Sequence, residues 1–181
     1  NVADYFRANG MKMSPVVIES TPELAKAFFA GRCDVLTSDA SQLASTRSVA
    51  PNPDDYEILP EIISKEPLCP AVRHGDDKWF DVVNFSVLAM IAAEELGINS
   101  KNVDAMLASK DPKIQRFLGV SPGNGKALGV DENWAYNIVK LVGNYGEVFE
   151  RNVGVNTPLK IERGLNAQWT NGGLMYAPPF K

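Results

Sequence analysis

The 181 residues are 45% hydrophobic and carry a net charge of −4, with 18 Lys and Arg against 22 Asp and Glu. That content builds a soluble core in one large domain or two small ones, and the scattered basic residues leave no footprint for nucleic acid or anionic membrane. The longest apolar stretch, Phe85 to Ala93, is about half of the roughly 20 residues that a membrane-spanning helix needs, so it reads as a buried helix.

Along the chain, NVADYFRANG has helical spacing and stops at Gly10. It lacks a basic segment followed by an apolar run, so no signal peptide is expected within these residues. Pro15 to Glu19 is a short β-branched strand, and Thr21-Pro22 has the pattern of an N-cap followed by Pro at the first helical position. That helix should end at Gly31. Cys33 to Thr37 reads as a second strand and Asp39 opens another helix. After the loop Pro51 to Asp55, Tyr56 to Leu59 form a third strand, and Leu68 to Arg73 a fourth. Strands alternating with helices predict βαβ units and a mainly parallel sheet, with ligands bound beyond the strands' carboxyl ends, where Thr37, Ser38 and Asp39 lie.

Later residues are mostly helix: Trp79 to Leu96, Asp111 to Leu118 and Glu132 to Arg151. The last thirty residues, with Gly164, Gly172, Gly173 and Pro178-Pro179, read as an irregular tail over a surface. About four strands and a helix-rich second half do not make a self-sufficient doubly wound sheet.

Several residues invite chemistry. An Asp between strand and helix is first of all an N-cap, its carboxylate accepting free backbone N–H groups. The run GVSPGNGKALG, from Gly119 to Gly129, departs from a phosphate-binding loop: five residues separate Gly119 from Gly125, and Ala127 follows Lys126 where Ser or Thr is required. A surface turn is expected there. Asp54-Asp55 and Asp76-Asp77 lack the alternating oxygen ligands of a calcium loop and read as solvated charge. With two cysteines outside any CxxC spacing and one histidine, His74, a zinc site is not expected; a disulfide, two buried thiols or a Cys/His pair are the readings left open. The late aromatics, Trp134, Tyr145 and Trp169 among them, fall mostly at core spacing.

Four stretches together, ELAKAFFAGRCDVLTSDASQLA, LPEIISKEPLCPAVRHGDDKWFDVV, NYGEVFERNVG and LNAQWTNGGLMYAPPFK, resemble the periplasmic general L-amino-acid-binding proteins of ABC importers. The resemblance runs over all 181 residues and implies an α/β fold of the type II periplasmic binding protein kind, two lobes joined by hinge strands with the second lobe inserted into the first. On this reading residues 1–66 are most of lobe two, and 67–181 the hinge return and C-terminal share of lobe one. The family's first half of lobe one, and a strand and Gly-Thr-Thr turn before Asn1, would lie outside the chain.

The resemblance aligns Asp39 with the aspartate that pairs with the ligand's α-ammonium, and sets Thr37 and Ser38 beside it as hydroxyl or carbonyl contacts. An ammonium leaving water needs such a carboxylate. The arginine that would hold the ligand carboxylate is expected outside the chain, and none of Arg7, Arg32, Arg47, Arg73, Arg116, Arg151 or Arg163 takes that role. Cys69 stands where the family's second hinge commonly has Gly, and Cys33 could pair with Cys69, with a cysteine outside the chain, or with nothing.

The implied partners are an L-amino acid of broad range and an inner-membrane permease, in the periplasm, with no cofactor, no metal and no catalysis. Self-association or an N-terminal fragment would cover exposed edges. The rivals are a cyclohexadienyl dehydratase-like enzyme, with Asp39 or His74 as acid or base, and a sensory ligand-binding domain on the same fold.

Overall fold

A computed structural model describes residues 1–65 and 67–180; Glu66, where the expected lobe boundary falls, and Lys181 lie outside the described residues. The chain divides into two compact units, Asn1–Leu68 with Pro158–Ile161, and Cys69–Thr157 with Glu162–Lys181.

In the first unit, helix α1 spans Val2–Ala8 and ends through Asn9 and Gly10, the latter at φ +64°. Helix α2, Thr21–Phe29, has Ser20 instead of Thr21 at its N-cap position, without a side-chain cap bond, and Pro22 inside its first turn, where the missing N–H has no partner to lose. Helix α3, Ala40–Ser48, follows Asp39. A 3₁₀ turn at Pro53–Asp55 brings Tyr56 against Phe28 and Phe29, ring centroids 5.4 and 5.2 Å apart. Only Ala44, Thr46 and Ala50 are buried among this unit's described residues.

The four expected strands form no ladder. Among the described residues the single β-bridge joins Gln168 and Met175 in the second unit. A strand needs a neighbour for its backbone N–H and C=O groups and a layer over its apolar face. Here Val17 and Leu68 are 86% and 77% exposed, and Val35 and Leu59 are exposed as well, so neither requirement is met within these residues.

The second unit is helical. Helix α4, Asp77–Glu95, begins two residues before the expected Trp79 because the Asp76 carboxylate accepts the Trp79 N–H at 3.1 Å. Its apolar stretch buries Ala89, Ile91, Ala92 and Ala93, and no helix among the described residues is long and apolar enough to cross a membrane. Helix α5, Val103–Met106, was not expected; α6, Pro112–Phe117, is capped by Asp111, which accepts from Lys113 N at 2.8 Å. The single helix expected from Glu132 to Arg151 is two, α8 at Trp134–Leu141 and α9 at Tyr145–Asn152. Gly143, at φ +102°, turns the chain, and Asn144 with Glu147 forms a reciprocal capping box that starts α9.

Helix α4 packs against α8 and α9, and Ala89, Ala93 and Ala135 are wholly buried on the packed helices. Small side chains let such helices approach closely. Phe117, Ile98, Leu118, Val103 and Val139 supply the bulk of the core.

The Gly119 to Gly129 run is not a plain surface turn. It contains a one-turn helix, α7 at Asn124–Leu128, and its backbone receives a carboxylate from within the chain. The N–H groups of Gly123, Gly125 and Lys126 donate to Glu132 at 2.9, 3.1 and 3.1 Å. These bonds, the one from Gly123 foremost, hold Glu132 below the usual glutamate pKa. Gly125 lies so close that a Cβ there would sit 2.6 Å from the backbone of Asp131 and Glu132.

The tail closes this unit. Arg163 makes a bidentate pair with Glu94, 2.9 and 3.0 Å, and lies over the rings of Tyr145 and Phe149 at 5.4 and 5.3 Å. Buried Gln168 donates to the Ile91 carbonyl at 2.9 Å.

Candidate functional site

The residues singled out as ligand contacts lie where Cys33 to Thr37 runs into α3. Asp39 is the backbone N-cap, at φ −58° and ψ 146°, and its carbonyl accepts the Leu43 N–H at 2.9 Å. Its side chain makes no cap hydrogen bond, unlike those of Asp76, Asp111 and Asn144. An exposed carboxylate thus stands at the start of a nine-residue helix, in the positive end of its dipole, with its own oxygens uncommitted among the described residues. That arrangement can accept two or more N–H donors from a cationic group without first breaking a bond.

Ser38 lines a cavity of about 70 Å³ together with Thr21, Leu24, Leu36, Gln42 and Thr46. The walls come from the start of α2, the segment before Asp39 and one face of α3. Gln42 and Thr46 are four apart, and the Gln42 amide reaches the Thr46 hydroxyl at 3.5 Å. Thr37 is exposed and is not part of that wall. The reading from sequence missed Gln42, Thr46 and the wall position of Thr21. Their signal was the i, i+4 polar pair on a helix whose other neighbours, Ala40 and Ala44, are small.

Among the described residues, three of the seven arginines make side-chain ion pairs or hydrogen bonds. Arg163 pairs with Glu94 and Arg7 with Asp4, while Arg151 donates to the Val142 carbonyl through both terminal nitrogens at 3.1 Å. Cys33 is half-buried, Cys69 is exposed, and both are free thiols. His74 is exposed and its ring makes no hydrogen bond among the described residues. No group of three or more His, Cys, Asp and Glu gathers among them to hold a metal ion.

No family model matches the chain. Individual proteins do, over its full length. It is 56% identical to the general L-amino acid-binding periplasmic protein AapJ of Rhizobium johnstonii, covering 100% of this chain and 54% of that protein. It is 53% identical to the glutamate/glutamine/aspartate/asparagine-binding protein BztA of Rhodobacter capsulatus, covering 100% of this chain and 54% of that protein. Among solved structures, an ABC transporter periplasmic binding protein from Brucella ovis, with glutathione bound, superposes with a TM-score of 0.94 at 52% identity. The match covers 99% of this chain and 57% of that one.

The chain spans about half the length of the curated relatives it matches. Over its whole length the chain is thus similar to about half of these periplasmic binding proteins of amino-acid transport, and it has the fold of the corresponding part of the Brucella ovis protein.

Proposed function

We propose that this chain carries the ammonium-binding side of an L-amino-acid site in a periplasmic solute-binding protein. The whole protein captures amino acids of broad range in a cleft between two lobes, closes on them by hinge motion, and delivers them to an inner-membrane permease. Residues 1–66 belong to lobe two and 67–181 to the hinge return and lobe one. The ligand is held and released without covalent change.

One observation carries the reading: the Asp39 carboxylate occupies the cap position of α3 yet makes no cap bond. A capping aspartate normally spends an oxygen on the second or third backbone N–H of its helix. Left uncommitted, and next to Ser38, Asp39 suits the α-ammonium common to all L-amino acids. Recognition through that shared group is compatible with broad side-chain tolerance. Thr37 and Ser38 add hydroxyl or carbonyl acceptors for the remaining ammonium protons.

The test is calorimetric titration of L-amino acids into a protein that bears this chain at the length of its relatives. Asp39→Ala is expected to weaken binding by about ten- to a hundredfold, since hydrogen bonds to charged groups contribute about 1.5–3 kcal/mol. Unchanged affinity would remove Asp39 from the site. The 181 residues alone are expected to bind weakly, because the partner for the ligand carboxylate is then absent.

A further inference from the structure

A second cavity is lined entirely by residues of the helical unit. Its volume is about 370 Å³, inside the range of roughly 300–1,000 Å³ typical of small-ligand sites. Phe85 of α4, Leu128 of α7, Trp134 of α8 and Phe180 of the tail form apolar walls, and Asp81 and Asn124 are the residues with polar acceptor side chains. Phe180 holds the aromatic wall together, with its ring centroid 6.1 Å from Phe85 and 6.0 Å from Trp134.

Asp81 is the one charged residue lining this cavity among the described residues, and its carboxylate makes neither an ion pair nor a hydrogen bond there. Three aromatic rings and a single uncommitted carboxylate favour a cation, because ring quadrupoles attract positive charge and Asp81 adds a full negative one. The kind of cation follows from the scarcity of acceptors. A primary ammonium or a guanidinium would leave several N–H donors facing Leu128 and the rings, an unfavourable exchange for water. A quaternary ammonium has no N–H to satisfy and a methyl shell that suits an apolar wall.

We infer that this cavity is a site for quaternary ammonium compounds, held by Phe85, Trp134 and Phe180 and oriented by Asp81. Asn124 is placed to bond a hydroxyl or carboxylate carried on the same ligand. It shares no residue with the proposed amino-acid site and does not rest on that reading.

The probe is choline, titrated into the isotopically labelled full chain while the indole N–H signal of Trp134 is followed by NMR. The control is 3,3-dimethyl-1-butanol, which has the same shape with carbon in place of the charged nitrogen. A saturable shift at Trp134 with choline, a much smaller one with the control, and binding about three- to fivefold weaker in Asp81→Asn are expected. Equal response to the neutral control, an unchanged titration in Asp81→Asn, or shifts confined to Trp79 and Trp169 would overturn the assignment. Asp81 is exposed, so Asp81→Asn leaves the fold intact and its result stays readable.

Discussion

Glu94 on α4 receives both terminal nitrogens of Arg163 from the tail, in a pair whose side chains are only 21% and 20% exposed. Removing Arg163 leaves the largely buried Glu94 carboxylate with only the Gln168 amide, at 3.3 Å, as a side-chain donor among the described residues. Arg163→Ala is expected to destabilise the helical unit by about 2–3 kcal/mol, somewhat below the roughly 3–5 kcal/mol seen for fully buried pairs. Urea denaturation checks the value. A double-mutant cycle with Glu94→Gln should return clear coupling, and simple additivity would show that the loss comes from Arg163's other contacts, with the Asn166 carbonyl and the rings of Tyr145 and Phe149.

Asp39→Ala should cost no more than about 0.5 kcal/mol of stability, whereas Asp111→Ala should cost about 1 kcal/mol. The difference follows from their caps: Asp111 accepts the Lys113 N–H and Asp39 accepts none. Equal losses in thermal denaturation would mean that the Asp39 side chain caps α3 in solution.

Glu147 predicts an acid-sensitive stability. Burial pushes its pKa up, but the Ser100 hydroxyl at 2.6 Å and the N–H groups of Asn144 and Ser100 at 2.8 and 3.0 Å outweigh that and set it below the ordinary 4.5. A folded-state pKa depressed below the unfolded one gives stability that is present above pH 4.5 and is lost as pH falls through the lower folded value. Glu147→Gln should therefore flatten the acid limb of stability against pH, and at neutral pH cost about 1 kcal/mol, because a neutral amide oxygen accepts the Asn144 and Ser100 donors more weakly than a carboxylate does. An acid limb that survives the substitution would assign it to other carboxylates.

At Gly125 the expected effect is steric. Gly125→Ala places a methyl against the backbone of Asp131 and Glu132 and should destabilise by about 1–3 kcal/mol. Glu132→Gln, by weakening the acceptor for three backbone N–H groups, should speed amide exchange at Gly123, Gly125 and Lys126 ahead of the rest of the unit. Uniform exchange across the unit would show that the loop opens only with global unfolding.

Cys69, exposed, should react with a thiol reagent faster than half-buried Cys33. Mass spectrometry after brief alkylation reads the order directly.

Local signals in the sequence located most helices. Gly10, Pro22, Asp39 and Asp111 each marked a terminus to within a residue or two, because capping and proline effects act over one turn. The break at Gly143 was equally local, with Asn144 and Glu147 spaced as a capping box, but apolar periodicity on both sides obscured it. The strands failed for a different reason. Val16, Val17 and Ile18 have the composition of a strand, yet pairing depends on a neighbour far along the chain, and no such neighbour lies among the described residues. Asp39 could not be resolved locally at all, since a cap and a ligand contact require the same residue in the same place. The cavity beside it was illegible because Thr21 and Thr46 come from different helices.

The tail's return to α4 also sets an order in time. Gln168 reaches Ile91, 77 residues earlier, and Arg163 reaches Glu94, 69 residues earlier. During synthesis α4 to α9 can collapse on one another as they emerge, but the end of α4 must wait with a lone carboxylate until residues 163 to 168 have been made. That end of the helical unit is thus fastened only after the segment from Arg163 to Gln168 emerges, and a ribosome stalled before Arg163 would present it without these two ties.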